Sequence, residues 1–145
     1  MTWDSFDFNY ELSEFETAVC ESQGKLFQEC QFDFKCDAAD FVSKFMKSEI
    51  AAKMDTKSSP WRVAGNKQRG EELLRLASVK QVSEKHINPN ALYWVGYMYR
   101  YWAFLGASSK AIIEFVPLDL ALLTYSGYHC LALKEAIRMY MKNSK

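Results

Sequence analysis

The sequence predicts an all-α fold, a single compact bundle of five to seven helices around a central aromatic helix. Apolar residues recur at helical spacing in successive segments, and only six Gly and three Pro leave little room for the turns of a β sandwich or barrel. No apolar β-branched strands alternate with the helices, which excludes parallel βαβ units. At 145 residues the chain is most simply one domain, with an acidic segment over residues 1–40 and a core over residues 41–145.

The N-terminal part predicts one or two helices after a short lead-in. Residues 1–12 alternate aromatic and polar positions and predict an extended arm or an irregular segment that packs on the body. Ser13 and Glu16 form a capping-box pattern that begins a helix. Gly24 weakens the middle of this helix by about 1 kcal/mol relative to Ala, so one helix with a defect and two short helices are both compatible with the pattern.

The middle of the chain predicts two amphipathic helices separated by a linker. Residues 32–35 are too few for anything but a connector or a turn of strand, and Asp37 then caps a helix whose apolar stripe ends near Asp55. A polar linker occupies residues 56–60. The next helix is predicted over residues 71–82, with a start near Gly65 as the alternative.

The densest aromatic segment lies between Ala91 and Leu105, where seven of the twelve residues from Tyr93 to Phe104 are aromatic. Asn88 is suited to cap this helix and Pro89 to its first position. Gly106 fits the left-handed conformation that ends a helix. Three further short helices are predicted over residues 110–116, 119–124 and 133–141.

The aromatic helix has two interpretations, a central core helix or the floor of a binding site. Apolar or aromatic groups occur on all its sides, which is typical of a buried helix. Arg100 is the exception, because an isolated buried charge is very costly. A carboxylate partner and stacking on Tyr or Trp would satisfy it structurally. Alternatively, Arg100 anchors an anion-binding pocket at the start of the following helix, with Tyr97, Tyr101, Ser108, Ser109 and Lys110.

No motif in the chain names a reaction. Gly65 and Gly70 belong to no Walker A loop or dinucleotide fingerprint, and neither GxSxG nor HExxH occurs. The four cysteines include no CxxC pair and predict reduced, mostly buried thiols. We therefore expect no catalytic residue, no metal and no cofactor, while a carboxylate pair in a cleft would still suffice for acid–base chemistry. Trp61 and His129 are further candidates for interaction or ligand binding.

Charge is distributed unevenly along a chain of zero net charge. Residues 1–40 carry ten acidic and two basic residues, and residues 41–145 carry eight acidic and sixteen basic residues. This pattern indicates a solvated acidic face that lies against a basic one, or an acidic arm offered to a basic partner. Without a signal peptide or an apolar run of about 18 residues, the expected location is the cytosol, away from the membrane.

Three segments resemble a family of small bacterial proteins: Phe41–Asp55 with the following Ser59-Pro60-Trp61, then GEELLRLA (70–77) with ALYWVGYMYRYW (91–102), and SSKAII (108–113) with YHCLALKEAI (128–137). The YWVGYMYRYW block is the specific one. The resemblance covers roughly the C-terminal two-thirds of the chain and leaves residues 1–40 outside. Members of this family resemble the antitoxin-like component of toxin–antitoxin cassettes, beside small proteins similar to ADP-ribosyltransferase toxins.

The resemblance implies a protein whose partner is another protein, and it brings no catalytic residues. The leading hypothesis is a non-enzymatic module that occludes a basic or nucleotide-binding cleft of a toxin with its acidic segment or an aromatic-edged groove. The alternative is a domain, conceivably an enzyme, that binds a small ligand or nucleotide through Arg100 and the Ser108–Lys110 turn. DNA binding is a third hypothesis, because Glu71 and Glu72 interrupt the basic residues that suggest it: Arg62, Lys67, Arg69 and Arg75. The oligomeric state stays open.

Overall fold

The computed structural model describes residues 7–143, and these residues form an all-α bundle, as predicted. The described part contains eight α-helices and a 3-10 turn: α1 Glu14–Asp33, α2 Ala38–Met46, α3 Glu49–Met54, the 3-10 turn Pro60–Arg62, α4 Asn66–Leu76, α5 Pro89–Phe104, α6 Ser109–Phe115, α7 Leu118–Tyr128 and α8 Leu133–Lys142. Among these residues, no single helix is long and apolar enough to cross a membrane, and α6 and α7 pass that test only as a pair bent by 77°.

Ser48 divides the helix that was predicted to end near Asp55 into α2 and α3. Its backbone is extended, with φ −80° and ψ 163°. Its hydroxyl accepts from the Ala51 N–H at 3.3 Å and donates to the Phe45 carbonyl at 2.6 Å. A serine that replaces backbone hydrogen bonds in this way favours a helix end over a helix interior. This division raises the number of helices in the described residues above the five to seven expected.

The bundle is built around the crossing of α1 and α5, at two glycines. The predicted capping box begins α1, which continues through Gly24 without a break. A Cβ atom on Gly96 would lie 2.7 Å from the Gln23 carbonyl oxygen and 2.9 Å from the Gly24 Cα. The two backbones therefore touch, and the acidic segment contributes a central core helix.

Helix α4 ends at Leu76 and residues 77–82 lie outside any helix, so the predicted end near Val82 is wrong. The alternative start near Gly65 is confirmed, because Gly65 is the N-cap of α4. The Asp37 N–H donates to the Lys80 carbonyl at 2.9 Å, and the Val82 N–H donates to the Lys35 carbonyl at 2.9 Å. These bonds pair the connector after α1 with the chain after α4. Because backbone groups in such a pair are satisfied between segments, the helical pattern of these residues is overridden.

The core is rich in aromatic side chains, and the lead-in is tied to it. The ring of Phe27 meets Phe45 at 5.7 Å and Tyr99 at 6.4 Å between centroids, both edge to face. The Asp7 N–H donates to the Leu105 carbonyl at 3.1 Å, which holds residues 7–12 against the end of α5. The first six residues of the predicted arm lie outside the described residues.

Candidate functional site

Helix α5 is buried on most of its circumference and open in one sector. The side chains without appreciable exposure are Ala91, Leu92, Val95, Gly96, Met98, Tyr99, Arg100 and Trp102. Tyr93, Trp94, Tyr97 and Tyr101 are only half-buried. The central core helix is therefore confirmed, but its burial on all sides is corrected, because no described helix covers these four aromatic residues completely.

Arg100 lies in the buried sector and is neutralised from within the protein. Its side chain is 0% exposed. The guanidinium donates from Nε to Gln23 at 2.9 Å, from Nη1 to Asp55 at 2.6 Å and from Nη2 to the Ser109 hydroxyl at 3.1 Å. Arg100 therefore has a carboxylate partner within the protein, which is one of the two alternatives that the sequence predicted for it. Burial lowers the Arg100 pKa and the Asp55 charge raises it.

Asp55 occupies the place that was predicted for an external anion. Its carboxylate accepts from the Ser109 N–H at 2.9 Å and from the Ser109 hydroxyl at 2.7 Å, in addition to Arg100. An anion at a helix start is favoured by the free N–H groups and the helix dipole. The chain supplies this anion itself, and the four groups join α1, the end of α3, α5 and α6. We call Gln23, Asp55, Arg100 and Ser109 the ion-pair centre.

Arg69 is a second fully buried arginine, held by neutral oxygens alone among the described residues. It donates to the Trp61 carbonyl from Nε at 3.1 Å and from Nη2 at 2.8 Å, and to the Ser22 hydroxyl from Nη1 at 2.7 Å. Burial, and then the charge of Arg100, lower its pKa to about 10. These bonds attach the 3-10 turn to α1 and α4.

The open sector of α5 forms one wall of a cleft of about 480 Å³. We call this space the aromatic cleft; its lining residues are Gln28 of α1, Asn90, Tyr93, Trp94 and Tyr97 of α5, Tyr125 of α7, and His129, Leu131 and Leu133. None of these side chains is a lysine, arginine or carboxylate. A half-exposed surface of this kind is typical of a binding site.

Four of the predicted candidate residues lie together, in two separate pairs. Arg100 and Ser109 meet in the ion-pair centre, and Tyr97 and His129 line the aromatic cleft. The His129 ring stacks on Tyr125 at 4.4 Å between centroids, and its Nδ1 donates to the Tyr125 carbonyl at 2.6 Å. Tyr97 and Arg100, which were predicted to share one pocket, therefore lie in two different places: Tyr97 in the aromatic cleft and Arg100 in the ion-pair centre.

The remaining candidates are dispersed. The Ser108 hydroxyl caps α6 by accepting from the Ala111 N–H at 3.2 Å, and Lys110 is exposed. Tyr101 is half-buried beside the core. Trp61 lies outside the aromatic cleft, with its carbonyl bound to Arg69. In residues 7–143, no group of three or more His, Cys, Asp or Glu side chains is arranged to hold a metal ion.

Sequence reasoning did not assign Asp55 or Gln23 to a site, and it placed Arg69 among the basic residues that suggest DNA binding. The signal for Asp55 was present, since Arg100 required a carboxylate and Asp55 ends an amphipathic helix. Choosing it among eighteen acidic residues required the tertiary arrangement. Gln23 and Arg69 sit in segments whose patterns fit solvated helix faces, and nothing local distinguishes them from exposed residues.

Fold and site together define a small all-α bundle with a largely buried ion-pair centre, in which Arg100 is buried and Asp55 is partly exposed, and an aromatic cleft on its surface. Comparison with protein-family models, with curated proteins and with solved structures gives no match to this chain.

Proposed function

We propose that the protein is a non-enzymatic interaction module, an antitoxin-like partner that binds a toxin and occludes it. The observation that carries the proposal is the aromatic cleft, where Tyr93, Trp94 and Tyr97 of the central helix stay half-exposed. Tyr and Trp supply most of the binding energy in many protein interfaces because they bury a large area with few rotatable bonds. A rigid core helix presents these rings already ordered, which lowers the entropy lost on binding.

The acidic face of α1 supports a basic partner. Glu14, Glu21 and Glu29 are exposed on this helix, and within residues 7–143 none of the three is in an ion pair. Gln28 of the same helix lines the aromatic cleft. Lys25 is also exposed between Glu21 and Glu29, so this face carries a net negative charge and not a single sign of charge. A net negative charge next to an apolar site accelerates and orients encounter with a partner of the opposite sign. This surface therefore suits a protein segment whose central residues are apolar or bind aromatic rings and whose surrounding residues are basic.

Occlusion is the mechanism that these features favour. The module would lie over a basic or nucleotide-binding cleft of the toxin and exclude its substrate, with no chemistry of its own. The resemblance of the YWVGYMYRYW block gives the partner's class as an ADP-ribosyltransferase-like toxin, and both proteins would meet in the cytosol.

The test is co-expression with the ADP-ribosyltransferase-like protein that the resemblance predicts in the adjacent gene. We expect the two proteins to co-purify and the growth arrest caused by that protein to be relieved. The double variant Trp94→Ala/Tyr97→Ala should lose both effects while it stays folded. Phe32→Ala, an exposed aromatic residue of α1 that stacks on His86 outside the cleft, is the matched control. Persistent growth arrest with no complex would disprove the proposal.

The alternative, ligand or nucleotide binding through Arg100 and the Ser108–Lys110 turn, stays a prediction. The carboxylate of Asp55 already accepts from Arg100 and from the start of α6, which weighs against it. DNA binding also stays a prediction. One of its four basic residues, Arg69, is buried and donates to internal oxygens, which leaves a smaller basic surface.

A further inference from the structure

The aromatic cleft has a ring arrangement that leaves ring faces available. The rings of Trp94 and Tyr125 are 5.8 Å apart at 63°, and those of Tyr93 and Tyr97 are 6.2 Å apart at 42°. Neither of these two pairs is stacked face to face, whereas the His129 ring covers one face of Tyr125 at 4.4 Å between centroids. Among the described residues, no ring stacks on the faces of Tyr93, Trp94 or Tyr97. The face of an aromatic ring carries the negative part of its quadrupole and attracts cations within about 6 Å.

The electrostatic surroundings of the cleft also favour positive charge. No lysine or arginine lines it. Burial raises the pKa values of Tyr93 and Tyr97, that of Tyr97 to about 12, with smaller contributions from Cys20 and Glu21. The two phenols are therefore neutral near pH 7, and the exposed Glu21 carboxylate of α1 adds negative charge to their surroundings.

We infer that the aromatic cleft binds a cationic group, the ammonium or guanidinium of a lysine or arginine side chain presented by the protein partner. A lysine or arginine fits this site because its aliphatic stem packs on apolar surface while its charged end lies over ring faces. Leu131 and Leu133 supply such apolar surface beside the rings. The identity of the presenting protein rests on the proposed function, whereas the preference of the cleft for a cation does not.

The experiment compares two small probes of equal shape on the isolated full chain. Choline carries a quaternary ammonium, and neohexanol is its neutral carbon isostere. Binding is followed by the NMR signal of the Trp94 indole N–H, assigned with Trp94→Phe. We expect choline to shift this signal saturably and to bind at least about fivefold more tightly than neohexanol, the ratio that about 1 kcal/mol of cation–π attraction produces.

Two variants separate the contributions of ring and charge. Tyr97→Leu keeps apolar bulk and removes a π face, so the affinity for choline should fall while that for neohexanol stays within about twofold. Glu21→Gln, on the exposed face of α1, should weaken choline alone. The matched controls are Phe15→Leu and Glu14→Gln, exposed residues of α1 or its first turn that do not line the cleft.

Equal affinity for choline and neohexanol, or no binding of either, would overturn the inference. Tighter binding of adenosine than of choline would also overturn it, because it would identify the occupant as a planar base. The probe assay needs no partner protein. Choline binding without relief of toxicity would therefore refute the proposed function alone, and relief of toxicity without choline preference would refute this inference alone.

Discussion

The two sides of helix α5 use polar and aromatic groups in opposite ways. On the closed side, Arg100 meets Asp55, and every named partner of its guanidinium belongs to the protein. On the open side, Tyr93, Trp94 and Tyr97 line a cleft with part of their surface exposed. The difference shows that the charged residue of the helix is held by groups inside the fold, while three of its aromatic residues keep part of their surface exposed. Mutations on the two sides should separate stability from function.

Removal of Asp55 should have the largest effect on stability. Asp55→Ala leaves Arg100 buried without a counter-charge, and we expect the free energy of unfolding to fall by about 3–5 kcal/mol. Urea denaturation measures it, with Glu29→Ala on the exposed face of α1 as the control. The double variant Asp55→Ala/Arg100→Met should regain much of the loss, because no buried charge is left uncompensated. A loss below about 1 kcal/mol in the single variant would contradict a stabilising ion-pair centre.

A methyl group at the helix crossing should have the next largest effect. In Gly96→Ala the new Cβ meets backbone atoms of Gln23 and Gly24, which must move apart, at a cost of about 1–3 kcal/mol. Gly127→Ala in α7 is the matched control, because nothing lies within 4 Å of its Cβ position. Thermal denaturation should show a lower Tm for the first variant and an unchanged or higher Tm for the second. Equal Tm values would mean that α1 and α5 can separate freely.

The hydroxyls of Tyr97 and Tyr99, two residues apart, give the most direct comparison of the open and closed sides of α5. The buried Tyr99 hydroxyl donates to the Val116 carbonyl at 2.5 Å, so Tyr99→Phe should cost about 1–2 kcal/mol by leaving that carbonyl without its donor. Tyr97→Phe, on the open side, should change stability by less than about 0.5 kcal/mol. Chemical denaturation of both variants checks the difference, and a reversed order would refute the assignment of closed and open sides.

Alkaline pH should lower the stability of the bundle gradually. Burial raises the pKa of Cys20, a buried residue of α1, from 9.0 to about 12. Between these values the unfolded chain loses a proton that the folded chain keeps, so stability is complete below pH 9 and declines as pH rises toward 12, by about 1 kcal/mol per pH unit for this group. Cys20→Ala should reduce the slope of unfolding free energy against pH in this range. Cys130→Ala, at an exposed position, should leave the slope as in the wild type.

Local patterns predicted most of the fold. The capping box at Ser13, the cap at Asp37 and the cap and first position of α5 at Asn88 and Pro89 all appear as expected, because each depends on neighbouring backbone groups only. The extended residues 77–82 were missed since their hydrogen-bond partners lie about forty residues earlier in the chain. A local pattern carries no information about such a partner.

The sequence predicted several residues of the candidate site but not how they are arranged. Tyr97 and Arg100 are neighbours on a helix with about 100° per residue, and the sequence pattern predicted both in one pocket. The structure puts Arg100 at the edge of the buried sector and Tyr97 in the open one. A small rotation of helix α5 about its axis would change which of the two side chains is buried, and the packing of α1 against Gly96 sets that rotation.

The sequence by itself determined that the chain is helical, that the aromatic helix lies at its centre and that Arg100 needs a counter-charge. These follow from periodicity, residue volume and the cost of burying a charge, which are properties of single segments. Only the tertiary structure decided that Asp55 supplies that charge and that Tyr93, Trp94 and Tyr97 face a cleft. Both depend on which distant segments of the chain pack together, and the close crossing of α1 and α5 determines that packing.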